Sequence, residues 1–164
     1  MPHFIGDLVG KARGVALKHI LYRGTQPAIL EMLGGQVQAV SGLVAEFTQQ
    51  VAAGKARLLA TTGAQRNRFA PNTPTLVEQG FKDMVFSEWF GFFLPAAPVK
   101  PTAEVVQRAN AALRTALADR ETIDGLAVMG LEARSSSPAD LAAMLKADTE
   151  KWGPLVKAVG FTAD

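Results

Sequence analysis

The chain has 164 residues, 48% of them hydrophobic, and a formal net charge of +2 made from 17 basic and 15 acidic residues, enough length for one compact domain or a little more. The basic residues are scattered and there is a single tyrosine, so the basic–aromatic interleaving of nucleic-acid grooves is missing and no nucleic-acid partner is expected. Cysteine is absent, which excludes disulfides, thiolate metal sites and cysteine nucleophiles, and no apolar run reaches the ~18 residues of a membrane span.

Met1 to Asp7 has neither a basic n-region nor an apolar h-region, so no export signal is expected in the chain as written. His3 to Ala12 reads as a helix, with Phe4, Ile5, Leu8 and Val9 at helical spacing. Val15 to Tyr22 alternates and then runs apolar, which predicts a buried strand holding His19. Gly24 is a turn, and Thr25 caps a helix over Gln26 to Leu33, where Pro27 in the first turn needs no amide partner. Gly34-Gly35 ends that helix. Val37 to Val40 is a short strand stopped by Ser41-Gly42. Val44 to Ala53 is a helix with Gly54 just past its end, and Ala56 to Thr61 is a third strand.

Strands separated by short helices predict βαβ units and a mainly parallel sheet. After a basic loop with Arg66 and Arg68, Thr75 and Glu78 form a capping box on a short helix. Val85 to Leu94 is extended and aromatic, with Phe86, Trp89, Phe90, Phe92 and Phe93. Past Pro95, Pro98 and Pro101 the character turns helical. Thr102 to Ala118 carries Val105, Val106, Ala109, Leu113 and Leu117 on one stripe. Glu121 to Met129 is a second helix, Leu131 to Arg134 a brief strand, and Ser137-Pro138-Ala139-Asp140 a helix start for a long last helix. By composition the chain divides into an α/β part, about 1–94, and a helical part, about 95–164.

Nothing in this order points to catalysis. His3 and His19 have no acid and nucleophile nearby in sequence, metal-ligand spacings are missing, and Gly34-Gly35 leads to a strand rather than to a helix N-terminus. Asp119, Glu121 and Asp124 stand at a helix start, where the dipole favours acids. No enzyme activity and no cofactor are expected. Ligand binding is better supported. In open α/β sheets ligands lie beyond the carboxyl ends of the strands. Two such ends, Tyr22-Arg23-Gly24-Thr25 and Ser41-Gly42, are each followed by a helix N-terminus, whose free amides suit a carboxylate. Tyr22, Arg23, Gly24, Thr25, Ser41 and Gly42 are therefore the candidate ligand-binding residues.

Tyr22-Arg23-Gly24, Leu33-Gly34-Gly35-Gln36-Val37, Ala53-Gly54-Lys55 and Arg57-Leu58-Leu59-Ala60 carry a resemblance. So do Arg66, Pro71-Asn72-Thr73-Pro74-Thr75 with Glu78 and Gly80, Trp89-Phe90-Gly91, Pro95, Gly130, Ser137-Pro138, Trp152 and Val159-Gly160-Phe161. The ordered set, spread over nearly the whole chain, resembles the substrate-binding proteins of tripartite tricarboxylate transporters, the Bug or TctC family. The resemblance implies an α/β fold like type II periplasmic binding proteins, two lobes closing on a small organic acid. Residues 1–88 would be most of the second lobe, a mainly parallel sheet with flanking helices. Residues 89–94 would cross the hinge, and residues 95–164 would be C-terminal helices packed on the first lobe.

The chain departs from the family pattern in lacking counterparts of the signal peptide, the first lobe, the start of the second lobe and a Gly/Ser-rich loop before the first helix. Leu21 also stands where the family has proline. The implied function is that of a solute-binding component for a small carboxylate or amino-acid-like ligand, feeding a membrane permease and located in the periplasm. The alternative is a truncated structural or interaction fragment with no ligand function of its own. Unmatched apolar faces on the C-terminal helices predict a homodimer or swapped assembly, or dependence on a separately encoded first lobe.

Overall fold

The computed structural model describes residues 2–159, with side chains through Lys157; Gly160 and Phe161, part of the closing resemblance, lie outside the described residues. The chain forms two compact units, Met1–Glu88 and Trp89–Asp164.

In the first unit, helix α1 (Pro2–Ala12) turns back on itself at once. The Val15 amide donates to the Gly10 carbonyl at 2.9 Å, and Gly10 is buried so closely that a Cβ there would lie 2.7 Å from the Val15 oxygen. The Arg13 guanidinium, 4.5 Å above the Phe81 ring, donates to the Gln79 carbonyl at 3.0 Å. It ties the end of α1 to the turn around Gly80.

Helices α2 (Thr25–Leu33) and α3 (Val44–Ala52) pack on each other. Ala28 and Ile29 of α2 and Phe47 of α3 are buried, which is what apolar residues at helical spacing produce when one stripe faces a neighbour. Gly54 has φ 66°, the left-handed conformation expected just past the end of α3, and there Lys55 donates to the Gln50 carbonyl at 2.8 Å.

The rest of this core is built from loops. Thr61 and Thr75 form an isolated parallel bridge, with Thr61 N donating to Pro74 O at 3.0 Å and Leu76 N to Thr61 O at 2.9 Å. Phe86 N donates to Thr62 O at 2.7 Å. Around these bonds Thr61, Ala70, Thr73, Thr75, Leu76 and Phe86 are buried. The capping box is present: Thr75 N donates to Glu78 Oε2 at 2.7 Å and Glu78 N to Thr75 Oγ1 at 3.1 Å. It closes a run of turns rather than the expected short helix, because Gly80 at φ 91° reverses the chain after barely one turn.

The sheet differs from the sequence-based expectation. The segments read as strands, 15–22, 37–40 and 56–61, take no regular structure, Val37 and Gln38 lying in a bend, and among the described residues no strand ladder forms beyond the Thr61–Thr75 bridge. The segment 15–22 is not buried: Val15 is 54% exposed and Leu21 82%. His19 is likewise exposed rather than sealed in a strand. Alternating apolar residues make a surface suited to pairing, but burial requires a neighbouring strand at ~4.8 Å. No such neighbour exists among the described residues.

The second unit is helical, with α4 (Ala103–Ala118), α5 (Arg120–Val128) and α6 (Pro138–Val159). Each start is capped by a side chain, the last by Ser137 as the sequence reads. Thr102 Oγ1 accepts from Val105 N at 3.3 Å, and Asp119 Oδ2 from Thr122 N at 3.1 Å. Ser137 Oγ accepts from Asp140 N at 3.1 Å while Asp140 Oδ2 accepts from Ser137 N at 3.2 Å. The Ser137 hydrogen bonds hold the Asp140 carboxyl below its ordinary range. Leu131–Arg134, read as a brief strand, is not one; Asn110 of α4 donates to the Ser136 carbonyl nearby at 2.9 Å.

Trp89 opens this unit and is anchored to it, its indole N–H donating to Asp148 of α6 at 2.5 Å. A hydrogen bond to a charged acceptor contributes about 1.5–3 kcal/mol. Asp148→Ala is therefore expected to loosen the 89–94 segment by an amount in that range. In a Trp152→Phe background the emission of Trp89 should shift to longer wavelength and the unit should melt earlier. Unchanged emission would show that the bond does not hold the segment.

Candidate functional site

The start of α2 is open. Its N-cap is Gly24, at φ 107° and ψ 170°, with no side-chain cap bond. That conformation is essentially restricted to glycine. Thr25 was expected to cap the helix; it is instead the first helical residue, and its hydroxyl makes no cap bond. Gly24 absorbs the change of direction, so the helix begins one residue earlier than the cap reading requires. A helix start leaves its first amides without intrahelical acceptors. Pro27 has no N–H, so the Gly24, Thr25 and Gln26 amides remain, at the positive end of the helix dipole.

The start of α3 is closed. Its N-cap is Leu43, and Glu46 Oε2 accepts from the Leu43 amide at 2.9 Å. The Glu46 amide donates to the Leu43 carbonyl at 3.0 Å. Ser41 lies before this cap and is exposed. The two starts come together through the α2–α3 packing. A Cβ placed on Gly42 would lie 2.8 Å from Cγ2 of Thr25, 2.9 Å from Glu46 Oε2 and 3.2 Å from the Phe47 ring. Thr25 and Gly42, seventeen positions apart in sequence, are thus neighbours. Tyr22 is half-buried and Arg23 exposed at the entry to α2. The cluster combines three open amides and the hydroxyls of Thr25 and Ser41, with an arginine adjoining in sequence. That set can hold a carboxylate, while Glu46 supplies a fixed negative charge at its α3 side.

Arg66 of the basic loop is tied into the fold. It donates to Glu78 Oε1 at 2.9 Å and to the Pro71 carbonyl at 3.3 Å, bracing the Pro71–Pro74 loop. The Thr75 amide, with help from Arg66, holds the Glu78 carboxyl below its ordinary range. The histidines also pair structurally. His3 stacks on His19 at 3.7 Å between centroids and sits 3.4 Å from Asp7. Desolvation first, then repulsion by His3, pushes His19 down, against the pull of Asp7. Among the described residues no cluster of three His, Cys, Asp or Glu could hold a metal ion. No helix of the described residues is long and apolar enough to cross a membrane.

The Thr61 hydroxyl, at the end of the third extended run, is buried without a hydrogen-bond partner among the described residues. Such a group costs about 1–3 kcal/mol, so Thr61→Val, which keeps the shape, should leave the fold intact and raise the melting temperature. A lowered melting temperature would mean that the hydroxyl has a partner in solution.

The profile of the tripartite tricarboxylate transporter family receptors matches residues 2–161. The UPF0065 protein in the tcbD-tcbE intergenic region of a Pseudomonas species is 29% identical over 155 residues, 94% of this chain and 45% of that relative. Among solved structures, the periplasmic binding protein BugD is 31% identical with a TM-score of 0.80, over 97% of this chain and 53% of BugD. An R. palustris protein, Rpa4515 solved with adipate, is 24% identical with a TM-score of 0.83, over 97% of this chain and 52% of its own. The chain thus spans about half the length of these proteins, and the α/β periplasmic-binding-protein fold expected from the sequence is the one it shares with them. The family is one of substrate-binding proteins, which agrees with the reading that the chain is not an enzyme. By the match over nearly its whole length, the chain belongs to the tripartite tricarboxylate transporter receptor family, to which Bug and TctC proteins also belong.

Proposed function

We propose that this chain is the solute-binding part of a tripartite tricarboxylate-type uptake system and holds a carboxylate of a small organic acid at the start of α2. The observation that carries this reading is the convergence of an uncapped helix N-terminus with Ser41-Gly42. The Gly24, Thr25 and Gln26 amides would receive the carboxylate oxygens, with the Thr25 and Ser41 hydroxyls as further donors. Arg23 would favour the anion electrostatically, and Tyr22 would wall the site. The adipate in the R. palustris relative supports a dicarboxylate as the first ligand to try. Residues 1–88 are assigned to the second lobe, 89–94 to a hinge crossing and 95–164 to helices of the first lobe. The proposed partner is the membrane permease and the proposed compartment the periplasm, as for BugD.

Titration calorimetry against adipate, other di- and tricarboxylates, aromatic acids and amino acids tests the reading. Sub-millimolar binding is expected for at least one acid. Thr25→Ala and Ser41→Ala should each weaken it about tenfold, the loss of a hydrogen bond to a charged group. Silence across the panel would favour a fragment without ligand function of its own.

A further inference from the structure

We propose that residues 15–19 form a strap along α1, latched at its far end by the stacked rings of His3 and His19. The latch is closed at neutral pH and opens in mild acid. Positions 3, 7 and 10 of α1 share one face of the helix. Residues 15, 17 and 19, alternate in sequence, run back over that face. Val15 N donates to the Gly10 carbonyl at 2.9 Å. A Cβ on Gly10 would lie 3.0 Å from Cγ of Leu17, so glycine there is what lets the strap lie close. His19 then reaches His3, about two helical turns before Gly10, where the rings stack at 3.7 Å between centroids and 8° between planes. Phe4 stacks on His3 in turn, at 5.2 Å and 16°.

The two ends of the strap differ in what holds them. At Gly10 the contacts are a backbone hydrogen bond and an apolar side chain, neither of which titrates. Beyond Val15, residues 16–22 take part in no backbone–backbone hydrogen bond among the described residues, so the ring pair is what fixes the far end. Neutral imidazoles stack favourably, whereas two imidazolium rings face to face repel. Among the described residues, the charges that act on His19 are those of His3 and Asp7, and Lys18 adjoins it in the chain. Asp7 Oδ2 lies 3.4 Å from His3 Nε2, and its single negative charge balances one added proton, not two. Desolvation, then the repulsion of His3, holds His19 below its ordinary range against the pull of Asp7. The neutral pair is therefore the form that fits the latch. Its stabilisation is complete above the ordinary histidine range and is lost as pH falls through the lowered value of His19. Opening frees residues 18–22, which lead through Arg23 into the start of α2, while the Gly10–Val15 end stays closed.

Nuclear magnetic resonance of the whole chain without ligand tests the latch, so it can fail while the carboxylate reading stands, and the reverse. The window runs from about pH 7.5 to about pH 5, above the range in which ordinary carboxylates titrate. Cross-relaxation between the His3 and His19 rings should be strong at the upper end and fall about tenfold at the lower, as the closed population drops. The amide shifts of 18–22 should move with the same midpoint as the His19 ring, below the ordinary histidine value. The contact of Leu17 with Gly10 should persist throughout. His3→Phe and His19→Phe each keep a ring in the stack and remove one of the two charges. Circular dichroism of both should match the parent chain, and in both the 18–22 amides should stay in their closed positions at the lower pH. In His3→Phe the His19 ring should also titrate closer to its ordinary value. Ring contact that is absent at about pH 7.5 or undiminished at about pH 5 would overturn the proposal. So would the same acid movement of 18–22 in either folded variant, since opening would then not require two facing charges.

Discussion

Phe47→Ala is expected to unfold the first unit at ambient temperature. Removing a buried phenylalanine costs about 3–5 kcal/mol, transfer and cavity together. Phe47 belongs to a core whose buried apolar members among the described residues are Ala28, Ile29, Phe47, Ala70, Leu76 and Phe86. A core so small leaves little reserve, since whole domains are stable by only about 5–15 kcal/mol. Phe47 is also the ring beneath Gly42 and holds α3 against α2, so its loss separates Ser41-Gly42 from Thr25. Circular dichroism should show loss of helix signal, and the α2 and α3 amides should lose protection together. Retained protection in α2 with loss confined to α3 would show that the two helices do not form one cooperative element.

Gly42→Ala is expected to disable the candidate site with a smaller loss of stability. The added methyl would meet Thr25 Cγ2 at 2.8 Å and Glu46 Oε2 at 2.9 Å, closer than atoms tolerate, so α2 and α3 must part. Overpacking of this kind costs about 1–3 kcal/mol. Displacing Glu46 also breaks its bond to the Leu43 amide, leaving the start of α3 uncapped. A melting temperature lowered by several degrees, with carboxylate binding gone, is the expected pair of results. Undiminished binding would place the ligand away from Thr25 and Ser41.

The helices were legible because their signals are local. Apolar spacing gives α4 and α5 to within two residues, and Ser137 with Asp140 marks the start of α6 by its own hydrogen bonds. The same holds for Thr75 and Glu78, whose box forms although the helix after it does not. What stayed hidden depends on distant parts of the chain. Val15 to Tyr22 alternates as a strand must, but alternation states only that a segment can be paired, not that a neighbour is present to bury it. Thr25 was misplaced as a cap because the φ of Gly24 is set by how the chain enters α2. Thr25 and Gly42 meet only because Ile29 and Phe47 pack α2 on α3. The orphan hydroxyl of Thr61 could not be foreseen from a threonine at the end of an apolar run.

That no described residue of α4, α5 or α6 is fully buried has a calorimetric consequence. The heat capacity released on unfolding comes mainly from apolar surface newly hydrated. Half-exposed side chains contribute less to it than buried ones, so the second unit is expected to melt with a smaller enthalpy and a shallower stability curve than the first. Warming or cooling by tens of degrees changes such a unit gradually, as a helix–coil equilibrium does. The sharper of the two transitions is expected from the first unit.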